Sequence, residues 1–121
     1  MEIEAILQRL LSQREDSIAA VLVDEAGETV HLVRAAPGPV DERLAAAGIA
    51  LCLKHLRRLS EEADLGMIRG LQLASRRVAI SAAALPESHM LALVERAPAV
   101  SGVSSRYLKE AADAVSASLF D

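Results

Sequence analysis

Few side chains in this sequence could do chemistry: His31, His55 and His89, the single cysteine Cys52, the serines of "SGVSS", and the adjacent Arg76 and Arg77. The histidines stand far apart, without the HExxH spacing or accompanying cysteines that a zinc site favours, so each is expected at a sheet or helix margin. His55 falls on the edge of a helix's apolar arc, where a pH-sensitive contact between protomers is conceivable. Cys52 lies mid-helix on the apolar side and reads as a small hydrophobe rather than a nucleophile. The serines form no elbow motif and suit turn and cap positions before a last helix. Arg76 and Arg77 lie near a hairpin turn; a guanidinium there could stabilise a transferring phosphate, but a plain charged turn accounts for them. Neither the P-loop pattern nor GxGxxG occurs. No catalytic, cofactor-binding or metal-binding residue is therefore expected, and function is sought in surfaces.

Composition narrows the partners. Seventeen acidic against thirteen basic residues give a net charge of −4, the wrong sign for a phosphate-binding surface. One Tyr, one Phe and no Trp leave few platforms for stacking bases, so nucleic acid is not an expected partner. The N-terminal "MEIEAILQRLL" has glutamates where a secretory signal carries basic residues, and a lone cysteine makes no internal disulfide; both suit a cytoplasmic setting. No apolar run reaches the roughly 18 to 20 residues of a membrane span, so the 52% hydrophobic content must go into a core or an interface. The 121 residues read as a single domain, 1–121.

The elements that would carry those surfaces are legible from periodicity. Ile3, Ile6, Leu7, Leu10 and Leu11 follow the spacing of a one-faced helix over residues 2–13. "SIAAVLVDEAGETVHLVR" reads as a hairpin around residues 24–27, with Gly27 supplying a positive φ. Alternation sends Ile18, Ala20 and Leu22 to one face of its first strand and Ala19, Val21 and Val23 to the other, so both faces are covered. After "AAPGPV", Asp41 caps a helix from about Glu42 to Ala63. Three short runs, "GMIRGLQLAS", "RRVAISAAAL" and "HMLALVE", form a meander. A last helix starts at Ser104 or Ser105 and runs to about Ser118, with Leu108, Ala111, Val115 and Leu119 on its apolar side. The order α-β-β-α-β-β-β-α, with a sheet buried on both faces, predicts a three-layer α+β domain.

The central helix carries more apolar surface than one sheet needs. Leu51, Leu44, Gly48, Leu59, Cys52, Ala45, Leu56, Ile49 and Leu53 span an arc of roughly 200° on a helical wheel, about twice what seating on a sheet requires. Lys54, Arg57, Arg58 and Glu61 gather in the remainder. Ala45, Gly48 and Cys52 are small enough to admit a second backbone, a twin copy being the simplest candidate, or to seat the helix tightly on its own sheet. The width of the arc favours the twin.

In element order and in "IAAVLVDEAGETV", "LAAAGIALCLKHLRRLSEE", "GMIRGLQLASRRVAIS", "HMLALVE" and "LKEAADAVSASL", the chain resembles the Roadblock family, which includes Roadblock-type dynein light chains and bacterial regulators of Ras-like GTPases. The resemblance covers about residues 3–119. It implies a five-stranded antiparallel sheet with the central helix on one face and the terminal helices on the other. It also implies a homodimer, with Ala45, Gly48, Cys52, Leu56 and Leu59 in or near a pair of central helices. A third strand, residues 67–73, would join its twin edge to edge through Met67, Ile68, Arg69, Gly70 and Leu71. Arg69 and Gly70 in the middle of such a strand lower its intrinsic β preference. Lys54, Arg57, Arg58 and Glu61 would face a docked small GTPase, or would simply be a solvated face.

Three functions are consistent with this reading. The first is a non-enzymatic homodimeric regulator that binds a Ras-like small GTPase and alters its hydrolysis cycle by positioning the partner's own residues. The second is an adaptor tethering signalling kinases or motor components. The third is a small-molecule sensor, against which the dense alanine content weighs by leaving little room for a pocket.

Overall fold

The computed structural model describes residues 2–98 and 101–120, with side chains for all of these except 101–104. It is an α+β fold with the order α1 (Ile3–Ser12), β1 (Ser17–Val23), β2 (Thr29–Arg34), α2 (Glu42–Ala63), β3 (Gly70–Ala74), β4 (Val78–Ala84), a short 3₁₀ turn (Pro86–Ser88), β5 (Met90–Arg96) and α3 (Ser101–Phe120). The five strands form one antiparallel sheet in the order β2-β1-β5-β4-β3.

Strands β1 and β5 lie at the centre because their residues are apolar on both faces, and burial on both sides is the only way to use such a pattern. On one face Ala20, Leu22, Leu91 and Leu93 pack against Ile6, Leu7 and Leu10 of α1 and Leu108, Ala111 and Val115 of α3. On the other face Val21, Val23, Ala92 and Val94 pack against Ala46, Ile49 and Leu53 of α2.

Local chemistry sets the joints. In the β1–β2 turn Asp24 Oδ1 accepts from the amides of Ala26 (2.9 Å) and Glu28 (3.0 Å), and Gly27 takes the expected positive φ of 81°. Asp41 caps α2 by accepting from the Leu44 amide at 3.1 Å. The helix ends at Asp64 in a left-handed conformation, and the buried Ser60 hydroxyl donates to the Gly66 carbonyl.

Four sequence expectations are corrected. Ile18 packs on the α2 side with Ala19, Val21 and Val23, because the β1–β5 register shifts between Ser17 and Ala19 and the extra residue turns Ile18 to the other face. The third strand starts at Gly70, not Met67: residues 65–69 carry the chain from the end of α2 to the sheet edge, so Arg69 and Gly70 stand at its start rather than in its middle. Helix α3 starts at Ser101, which places Ser104 and Ser105 inside it instead of at its cap. Leu119 is exposed, and Phe120 packs on the core in its place.

Candidate functional site

Helix α2 presents two different faces. Ala46, Ile49 and Leu53 are buried against the sheet, while Leu44, Leu51 and Leu59 are 71%, 57% and 50% exposed. With Gly48 and His55, also exposed, they form a stripe at positions 44, 48, 51, 55 and 59. The steps of four and three residues are those of a helix–helix seam. A Cβ built on Gly48 meets no atom within 4 Å, so the small residue serves no packing inside this chain.

The structure distributes the residues expected at a dimer contact over two zones. On α2, Gly48, Cys52 and Leu59 are exposed, while Ala45 and Leu56 are half-buried on the flank that turns toward the sheet. Around β3, Met67 and Arg69 are exposed, and Ile68, Gly70 and Leu71 are half-buried, Ile68 and Leu71 resting on the α2-side core. Leu44 and Leu51 were part of the apolar arc but not of the expected contact. Their exposure places them in the stripe; Leu65, Met67 and Leu73, outside α2, are exposed as well.

His55, near one end of the full apolar arc, falls within the exposed half of it. It lies four residues from both Leu51 and Leu59, so it sits mid-stripe, and Cys52 precedes it by three residues on the same side of the helix. The other two histidines are marginal, as expected: His31 of β2 has Nε2 3.6 Å from Glu4 Oε1, and His89 contacts the Phe120 ring edge-on at 5.2 Å.

Strand β3 is a sheet edge, bonded to β4 on one side only. A Cβ on Gly70 would collide with the Ala82 carbonyl oxygen, so glycine here allows a close approach of the two backbones. Arg69 remains tied to the ladder through its carbonyl, which accepts from the Ala84 amide at 2.7 Å. Gln72, facing away from α2, donates to Ser105 of α3 at 2.8 Å and anchors the strand from behind. An open groove of about 790 Å³ runs beside this edge, between β3–β4 and α3, lined by Gly70, Gln72, Ala83, Leu108 and Lys109 among others. It is larger than the alanine content led us to expect.

Of the charged group, Lys54, Arg58 and Glu61 are exposed and Arg57 is half-buried toward residues 67–68. Arg76 and Arg77 are exposed in the β3–β4 turn, which Ser75 organises by accepting from the Arg77 and Val78 amides. At the other end of α2, Glu42 accepts from Arg34 at 2.9 Å, and that hydrogen bond holds the Glu42 carboxyl below its ordinary value and the Arg34 guanidinium above its own. Among the described residues no helix is long and apolar enough to cross a membrane.

No family model and no curated protein matches the chain by sequence. Solved structures do match by shape. The chain is similar to an MglB in a tetrameric arrangement (TM-score 0.83, 20% identity, 95% of this chain and 85% of that one). It is similar to a Roadblock/LC7 domain from Streptomyces avermitilis (TM-score 0.81, 17% identity, 100% of both chains). It is also similar to the gliding protein MglB of Thermus thermophilus (TM-score 0.76, 23% identity, 95% of this chain and 86% of that one). In architecture, strand order and the placing of its three helices, the chain has the Roadblock/LC7 fold.

Proposed function

We propose that the chain is a non-enzymatic, homodimeric regulator that binds a Ras-like small GTPase and modulates its hydrolysis cycle. The observation that carries this reading is the exposed stripe Leu44–Gly48–Leu51–His55–Leu59 on a helix whose opposite face is already seated on the sheet. Such a surface, continuous along a helix, marks an interaction site. A stripe centred near the middle of α2 is self-complementary about a two-fold axis, with Leu44 of one copy meeting Leu59 of the other.

Burying three already part-covered leucines from each copy stabilises the pair by roughly 6 kcal/mol at about 1 kcal/mol apiece. That lies near the low end of the 4 to 15 kcal/mol or so that association costs. The unpaired β3 edge supplies what the helices lack, since two such strands can join backbone to backbone and extend one sheet into the other. Ala45 and Leu56 would flank the helix contact, and Met67 to Leu71 would line the strand contact. Lys54, Arg58 and Glu61 lie on the exposed flank of α2 and Arg57 turns toward residues 67–68, where arginine forks can hold carboxylates of a third chain. The resemblance to bacterial GTPase regulators and the likeness of fold to MglB support a small GTPase in that place.

The test is a native pull-down with the tagged chain, followed by GTP turnover of the co-purifying GTPase with and without it. Altered turnover supports the proposal. A stable complex with unchanged turnover favours the adaptor reading, and recovery of no GTPase overturns the regulator. The open groove beside β3 is the observation that favours ligand sensing, which a ligand-dependent rise in melting temperature would support.

A further inference from the structure

We propose that the groove between α3 and the β3–β4 edge binds a free single-chain amphiphile with an acidic head group, a carboxylate or a phosphate. The inference stands on one chain alone and is independent of the paired-helix reading above. The groove has a structural origin. Helix α1 packs over β1 and β2, and helix α3 over β4 and β5, so the face of β3 on that side of the sheet has no helix of its own. There the paired residues Gly70 and Ala83 raise nothing larger than a methyl group, and Gly70 cannot be enlarged because the Ala82 carbonyl oxygen stands where its Cβ would go. Leu85, Leu108 and Ala112 line the core side of what is left, an apolar trough of about 790 Å³ open to solvent. That volume lies within the range of small-molecule sites.

The polar lining says what kind of molecule fits. Gln72 donates to Ser105 of α3 at 2.8 Å, joining the two walls, and the buried Ser81 lies 3.5 Å from the same amide nitrogen. The charged lining is Arg57, Arg69 and Lys109 against one acid, Asp113, an excess of two positive charges on a chain whose net charge is −4. Among the described residues none of the three cationic side chains makes an ion pair or a hydrogen bond. Unpaired cations beside an apolar trough complement a ligand with an acid at one end and hydrocarbon at the other. Guanidinium forks take the oxygens of the head group, and the chain removes the exposed apolar surface from water. An inorganic anion would leave the trough wet, and a neutral oil would leave the cations without a partner.

The test titrates the full-length protein by calorimetry with sodium decanoate and with decyl phosphate, each below its micellar concentration. Saturable uptake of one amphiphile per chain is expected, with octanoate about tenfold weaker than decanoate for its two missing methylenes. Decyltrimethylammonium, with the same tail and the opposite charge, should not bind. Arg69→Glu and Lys109→Glu, both at exposed positions, should each weaken binding by about fivefold or more while circular dichroism shows an unchanged fold. Leu51→Ser, on the exposed stripe of α2, should leave binding unaltered. No saturable uptake of either acid overturns the proposal, as does equal binding of the cationic amphiphile. Loss of binding in Leu51→Ser would move the ligand to α2 and overturn the groove site. Sedimentation with phosphatidylglycerol vesicles, without uptake of the free acids, would assign the surface to a membrane and overturn it too.

Discussion

Arg14 and Glu95 meet at the margin of the sheet, with Arg14 Nε 3.3 Å from Glu95 Oε2 and the glutamate fully buried. The contact ties the α1–β1 connection to the central strand β5, next to the Arg96 amide that donates to the Asp16 carbonyl at 2.8 Å. The two partners differ in exposure: the Arg14 side chain keeps 18% of its surface in solvent and that of Glu95 1%. Removing the arginine leaves a carboxylate in the core without its guanidinium, whereas removing the carboxylate leaves an arginine that can turn to water. Arg14→Ala is therefore expected to lower the urea midpoint. Glu95→Gln should cost less. The reverse order would show that the arginine contributes packing more than charge.

Stability should also depend on acid through Glu42. Its folded pKa is lowered, chiefly by the hydrogen bond from Arg34, so the unfolded chain binds the proton more readily. The stabilisation is fully present above the ordinary glutamate value of 4.5 and is lost as pH falls from there through the lowered folded value. Because the Arg34 side chain is 54% exposed, solvent screens the pair and the effect is small. The melting temperature of Glu42→Gln should lie below that of the unaltered chain at pH 7, with the gap narrowing below about pH 4.5. A gap that stays constant down to about pH 3 would place the effect in packing instead.

Element order and both ends of α2 were legible because amphipathic period, Asp41 and Gly27 each act locally. What was not legible depends on partners distant in sequence. Nothing in the alternation of β1 announces the register shift that turns Ile18 over, since it arises in pairing with β5. Met67 and Ile68 have strand-forming side chains, yet they are spent on crossing from α2 to the sheet edge, a span fixed by tertiary geometry. The apolar arc of α2 was readable, but its division into a seated and an exposed half required knowing where the sheet lies. His55 could have been found from sequence alone, because 44, 48, 51, 55 and 59 already mark the stripe. At 17–23% identity, the matched structures share the fold of this chain while most individual residues differ.

The edge strand depends on Gly70. A methyl group there meets the Ala82 carbonyl oxygen, a backbone atom that cannot swing aside, so Gly70→Ala must push β3 away from β4. Faster hydrogen exchange is expected at the amides of residues 71 and 73 with little change in the β1–β5 centre. If residues 67–71 also form a contact between copies, the same variant should weaken self-association. Unchanged exchange along β3 would mean that the strand tolerates the methyl by a local shift.

Gly48 tests the helix pair without disturbing the monomer. Because a Cβ at this position meets nothing within 4 Å, a larger side chain has open space inside its own chain. Replacing glycine within a helix by any other residue but proline also favours the helix, by up to about 1 kcal/mol for alanine. Gly48→Trp should accordingly leave the melting temperature of dilute monomer unchanged or higher, while halving the mass seen by light scattering at concentrations where the unaltered chain is paired. Gly48→Ala, adding one methyl, should weaken pairing far less. A full-mass dimer of the tryptophan variant at low concentration would show that the exposed leucines of α2 are covered from some other direction.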